Sequence, residues 1–113
     1  MSHHESSVAL RQMLDHAREA CAITAGKSKV EFDQDRLLNL AAVRLLEIVG
    51  EAANRIPRDE QELHLNIPWY EIIGFRNRVI HGYDAVDLDI VWRTLKDDLP
   101  KLVAALEKLV AHQ

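Results

Sequence analysis

"DQDRLLNLAAVRLLEIVGEAANR", residues 33–55, decides the fold class. Leu37, Leu38, Ala41, Leu45, Ile48, Val49, Ala52 and Ala53 return at threes and fours, the repeat of one α-helical face. Arg36, Arg44, Glu47 and Glu51 decorate the rest. The run predicts the longest helix of the chain. Gly50 falls inside it, where glycine costs ~1 kcal/mol against alanine. The better reading of Gly50 is close approach of a neighbouring helix; the other is clearance for a ligand or a second subunit.

The same period extends in both directions. Upstream, Val8, Leu10, Met13, Leu14, Ala17, Cys21 and Ala22 form a broad face, and Gly26 is a helix stop. Downstream, "PRDEQELH" (57–64) predicts a short helical turn. Pro68 reads as a first helical residue, where its missing N–H costs nothing. Trp69, Ile72, Ile73, Val79 and Ile80 then share one side of a helix that Gly82 ends. Asp87 is an N-cap for a last helix. Leu88, Trp92, Leu95, Leu99, Leu102, Leu106 and Val110 line that helix, and Pro100 should kink or split it near Leu99. No alternating strand pattern competes. The expected architecture is all-α, an up-and-down bundle of four to five helices in one domain over residues 1–113.

Composition narrows the function classes. The chain has 113 residues, 48% hydrophobic and 28% charged, which suits a globular domain and argues against disorder. A net charge of −4 argues against coating nucleic acid by charge alone, but not against a small local phosphate site. Cys21 cannot form an internal disulfide, since it is the one cysteine, and it reads as a small core residue. With no signal-peptide pattern and no run near the ~20 residues of a membrane span, a cytoplasmic protein is expected. The six histidines, at 3, 4, 16, 64, 81 and 112, lack ligand spacing, so no metal and no cofactor is expected.

The chemistry concentrates in "RNRVIHGY", residues 76–83. On a continuous helix Arg76 would sit at the centre of the stripe from Trp69 to Ile80. Arginine is almost never buried without a partner. It could pair with Glu47 or Glu51 in a structural role, or line a cleft where its planar fork meets a phosphate. Asn77 and His81, four apart, would be neighbours on one helical flank, with Arg78 turned to solvent. Histidine exchanges protons near neutrality, arginine neutralises phosphate, and asparagine orients either. That is a kit for metal-independent RNA cleavage by attack of a ribose 2′-OH. One histidine cannot serve as base and acid at once, and a symmetric dimer would supply the second.

Arg76, four residues, then His81, Gly82 and Tyr83 resembles the Arg-x4-His-x-Tyr motif of the HepT branch of the HEPN superfamily. "IPWYEIIGFRNRVIHGYDAVDLDIVWRTLKDDLPKLV" (67–103) and "RLLEIVGEAANRIP" (44–57) are similar to that branch as well. The resemblance implies a helical HEPN-like bundle that dimerises with both motifs facing one cleft. It implies a ribonuclease toxin of a toxin–antitoxin pair, whose partner is the minimal nucleotidyltransferase MntA. Arg76 and His81 would be catalytic, Asn77 supporting, and Tyr83 the residue silenced by addition of AMP. The alternative from another class is a non-catalytic helical module that binds nucleotide or protein beside a nucleotidyltransferase.

Overall fold

The computed structural model describes residues 3–81 and 85–112. Its helices are α1 (His3–Thr24), α2 (Lys29–Gln34), α3 (Arg36–Asn54), α4 (Arg58–Gln61), α5 (Trp69–Ile73), α6 (Phe75–Val79), α7 (Leu88–Arg93) and α8 (Leu99–Ala111). A two-residue ladder, β1 (Ile80–His81) with β2 (Ala85–Val86), pairs antiparallel between α6 and α7. The all-α expectation holds: helices carry the core, and the ladder only closes a loop. None of the helices is long and apolar enough to cross a membrane, among the described residues.

The boundaries follow local chemistry. Thr24 ends α1, and Gly26 takes φ +73°, the left-handed conformation that lets the chain turn away without a Cβ clash. Lys96 Nζ donates to the Thr24 carbonyl at 2.6 Å, satisfying one of the acceptors that a helix end leaves over. Ser28 and Glu31 form a reciprocal capping box on α2. Asp35 caps α3 by accepting from the Leu38 N–H. The buried Asn39 amide donates to the Phe32 and Asp35 carbonyls, tying α2 to α3.

α1 packs against α3 and α8, and α5 and α6 pack against α3. Leu10, Met13, Leu14 and Ala17 of α1 are buried as the period predicts; Val8 and Ala22 are exposed. On α3 the core face is Asn39, Ala42, Leu46, Val49, Gly50 and Ala53. The expected stripe holds in part: Val49, Ala52 and Ala53 are in the core and Leu38 and Leu45 pack against it, whereas Leu37 and Ala41 are exposed. α3 is apolar around more than half its girth, so period alone could not choose which part faces α1. Gly50 serves close approach. A Cβ there would stand 2.8 Å from the Ile72 carbonyl oxygen of α5.

Two expectations about helix continuity are corrected. The helix after Pro68 is not continuous: Gly74 separates α5 from α6, and Val79 is the last helical residue. Of the kink or split expected near Leu99, the split does not occur, and the irregularity there is a change of helix type just before Pro100. The backbone stays right-handed helical through Arg93, Thr94 and Leu99, and residues Thr94–Asp98 form one π-helical turn. The wider turn, closed by Leu99 N–H to the Thr94 carbonyl, precedes the residue that has no N–H to give. Leu95, Leu99, Leu102 and Leu106 stay buried along this helix. Phe32 and Trp92 pack with ring centroids 5.3 Å apart, and Lys96 lies 4.7 Å over the Trp92 ring. Cys21 packs partly buried against the core. Burial raises its thiol pKa, opposed by the nearby Lys96 charge, which suits a packing residue rather than a nucleophile.

Candidate active site

The break at Gly74 decides where the motif faces. In α6, Phe75 and Val79, four apart, are both buried and clamp this short helix to the core. Arg76, Asn77 and Arg78 between them are all exposed. Arg76 is thus not the buried centre of an apolar stripe, because the interruption at Gly74 resets the helical phase that a continuous helix would have kept.

Arg76 leans toward α3. Its Nε lies 3.7 Å from Glu47 Oε2, with 72% of the arginine side chain exposed and only 17% of the glutamate's. Of the two carboxylates considered, Glu47 is the neighbour; Glu51 pairs with Arg44 at 3.0 Å instead. The Arg76–Glu47 contact is too long for a hydrogen bond, and with the arginine largely in solvent it is worth ~0–1 kcal/mol. Arg76 and Glu47 share a hollow of about 230 Å³ with Gly50, Glu51 and Asn54. This guanidinium is exposed and only loosely held, a condition in which its planar fork can still be offered to a phosphate.

Asn77 and Arg78 open onto a different surface, a groove of about 990 Å³ between the α3–α4 corner and α5. Arg78 also donates to the Glu71 carbonyl at 3.2 Å. The expected helical neighbour relation of Asn77 and His81 is not realised, since the helix stops at Val79 and His81 belongs to extended backbone. His81 pairs in register with Ala85, and the Asp87 N–H donates to the Val79 carbonyl at 2.7 Å, so the chain leaving α6 is pinned at both ends. The side chain of His81, and Gly82 and Tyr83 altogether, lie outside the described residues. No group of three or more His, Cys, Asp or Glu side chains is placed to hold a metal ion, among the described residues.

The groove contains residues that the sequence reading passed over. Tyr70 lines it with 87% of its surface exposed, beside the buried Trp69, whose indole donates to the His64 carbonyl at 3.0 Å. Arg55 and Arg58 stand on the same groove. The available signal was "PWY" after a proline helix start: one of two adjacent aromatics must leave the core face, since successive helical residues are about 100° apart.

Comparison with known proteins gives a consistent result. Residues 13–109 match the family model described as Ribonuclease HepT-like. The chain is 43% identical over 79 residues to "Probable ribonuclease HepT" of Thermococcus cleftensis, covering 70% of this chain and 72% of that one. It is 34% identical over 107 residues to "Putative RNase MJ1380" of Methanocaldococcus jannaschii, covering 95% and 98% respectively. It is 35% identical over 107 residues to "Putative RNase TTE0752" of Caldanaerobacter subterraneus, covering 91% and 96%. No solved structure matches the chain.

Proposed function

Because the chain belongs to the HepT-like ribonuclease family, we propose that it is a metal-independent endoribonuclease toxin, cleaving RNA at a site shared by two subunits. The observation that carries the proposal is the exposed Arg76 guanidinium, set five residues before His81 on a segment clamped by Phe75 and Val79.

In this reaction a base takes the proton of a ribose 2′-OH, and the freed oxygen attacks the adjacent phosphorus. The bond to the 5′-oxygen breaks, and that oxygen receives a proton from an acid. The products are a 2′,3′-cyclic phosphate and a 5′-hydroxyl. His81 of one subunit acts as base and His81 of the second as acid, while Arg76 balances the charge gathering on the phosphoryl oxygens. Asn77 supports the reaction from the adjoining groove, through the RNA rather than through Arg76. A two-fold axis near the segment 76–83 brings the two histidines to one phosphate. The site resides in the cytoplasm with its RNA substrate.

Control acts through Tyr83. A nucleotidyltransferase partner of the MntA type transfers AMP to its hydroxyl, placing bulk and a phosphodiester charge where the RNA phosphate must sit. Two unit charges ~4 Å apart repel by roughly 1–4 kcal/mol between the dielectrics of water and a protein surface. The decisive experiment is incubation of the purified chain with RNA in the presence of EDTA. Cleavage with cyclic-phosphate ends is expected for wild type and not for His81→Ala. Cleavage that requires added Mg²⁺ would rule out the metal-independent reaction.

A further inference from the structure

The groove beside Asn77 lies apart from the hollow that Arg76 shares with Glu47, and it is the wider of the two. At about 990 Å³ it lies at the upper end of the ~300–1,000 Å³ usual for small-molecule sites. It is open along the surface and joins the motif segment through Asn77 and Arg78.

Three arginines line it: Arg55, Arg58 and Arg78. All are exposed, and none is in an ion pair among the described residues. Arg55 donates to Gln12 Oε1, and Arg78 to the Glu71 carbonyl. Both acceptors are neutral, so they orient the guanidinium and leave its charge available. Glu62 and Glu71 also line the groove, so three arginines against two glutamates leave it at +1 on a chain of net −4. Among these charges stands Tyr70, with an almost fully exposed ring. It is held on the second residue of α5, next to the buried Trp69, so it is presented by an anchored helix.

We propose that this groove is a track for single-stranded RNA leading to the motif, in which Tyr70 stacks on a base and Arg55, Arg58 and Arg78 take successive phosphates. The inference rests on the ribonuclease reading for its substrate. An exposed aromatic face beside an excess of cations suits a single strand, since every base has a π-face and every linkage a charge. Arginine can offer its fork to two phosphate oxygens at once. A polypeptide is the competing occupant, since Leu65, Pro57 and Pro68 line the groove as well; the excess of guanidinium over carboxylate beside an exposed ring favours the strand.

The test uses the full chain and a fluorescent 2′-O-methyl oligonucleotide of about ten residues, within the usual site sizes for single strands. That probe lacks the attacking hydroxyl, so binding is read apart from cleavage. Tyr70→Ala should weaken binding about tenfold or more, as expected for one lost base–aromatic stack, with the salt dependence unchanged. Arg58→Gln should lower the slope of log K against log[salt] by about 0.7, the loss of one phosphate contact to a single strand. Melting curves of both variants should match wild type, since both side chains are exposed. Wild-type binding and slope in both variants would overturn the track. So would variants that keep RNA binding but lose dimerisation or neutralisation by a protein partner, which would make the groove a protein-docking surface. Groove-dependent binding with no cleavage of ordinary RNA would keep the track and reject the ribonuclease reaction. Cleavage of ordinary RNA that is indifferent to these variants would do the reverse.

Discussion

Arg76 has two candidate roles that stability and activity separate. Its contact with Glu47 is long and its own side chain is largely in solvent, so Arg76→Ala should change stability by no more than ~1 kcal/mol. The same change should lower RNA cleavage by ~10²–10³-fold through lost stabilisation of phosphoryl charge. A steep fall in melting temperature with activity retained would assign this arginine to structure. His81→Ala should cost ~10²–10⁴-fold in cleavage at wild-type stability; full activity in a folded variant would exclude it as the proton-transfer group. Gly50 is the residue whose replacement should hurt stability most for its size. Alanine would add ~1 kcal/mol of helix preference, but its Cβ would press on the backbone carbonyl of Ile72 at 2.8 Å. Overpacking of this kind costs ~1–3 kcal/mol. The expected net effect is a lower melting temperature, by roughly 5 °C for a net ~1 kcal/mol; an unchanged or higher one would mean that α5 moves away freely.

The elements show where periodicity was sufficient and where it was not. The C-terminal helix has one heavily apolar side and packs on it, so its buried leucines were readable in advance. α3 has apolar residues on adjacent faces, and its core side is set by the neighbours it meets. Gly74 falls within the run from Trp69 to Ile80, and only the structure shows that it divides α5 from α6. The end of that segment depends on Asp87, whose carboxylate accepts from the Asp89 and Ile90 N–H groups while its own N–H holds the Val79 carbonyl. Asp87→Ala should cost about 1 kcal/mol, the usual value for a lost N-cap. Because Asp87 closes the connection between α6 and α7, cleavage should fall as well. Denaturant unfolding and a cleavage assay on one preparation check both, and an unaffected midpoint would show that this cap is dispensable.

At the scale of the whole molecule the open matter is assembly. Leu37 and Leu40 on α3 are 79% and 50% exposed, an unpartnered apolar face on the helix that also carries Glu47 beside Arg76. Two copies joined near the motif would provide the second histidine that the proposed reaction needs. A dimer is expected in light scattering at micromolar concentration, and a mixed dimer of one wild-type and one His81→Ala chain should fall far below half of wild-type activity if one site draws a histidine from each subunit. A stable monomer with full activity would contradict the shared site. If the proposed control operates, Tyr83→Phe should leave a folded, active ribonuclease that a nucleotidyltransferase partner no longer silences. Mass spectrometry after incubation with partner and ATP checks this, and AMP found on another residue would remove Tyr83 from the role of switch.

The sequence by itself determined the helical class, the caps at Asp87 and Gly26, the leucine face of the C-terminal helix and the family signature around Arg76 and His81. These are local properties: period, capping chemistry and motif spacing depend on residues within a turn or two of one another. The tertiary structure alone decided that Arg76 is exposed beside Glu47, that the Asn77–His81 helical pairing does not form, that Pro100 is absorbed by a π-turn, and that Tyr70 shares a groove with three arginines. Each of these depends on which faces of separate helices meet, and on small breaks in helical phase that rotate every following side chain. Such choices are settled by packing against α3, at a distance along the chain that no local pattern reaches.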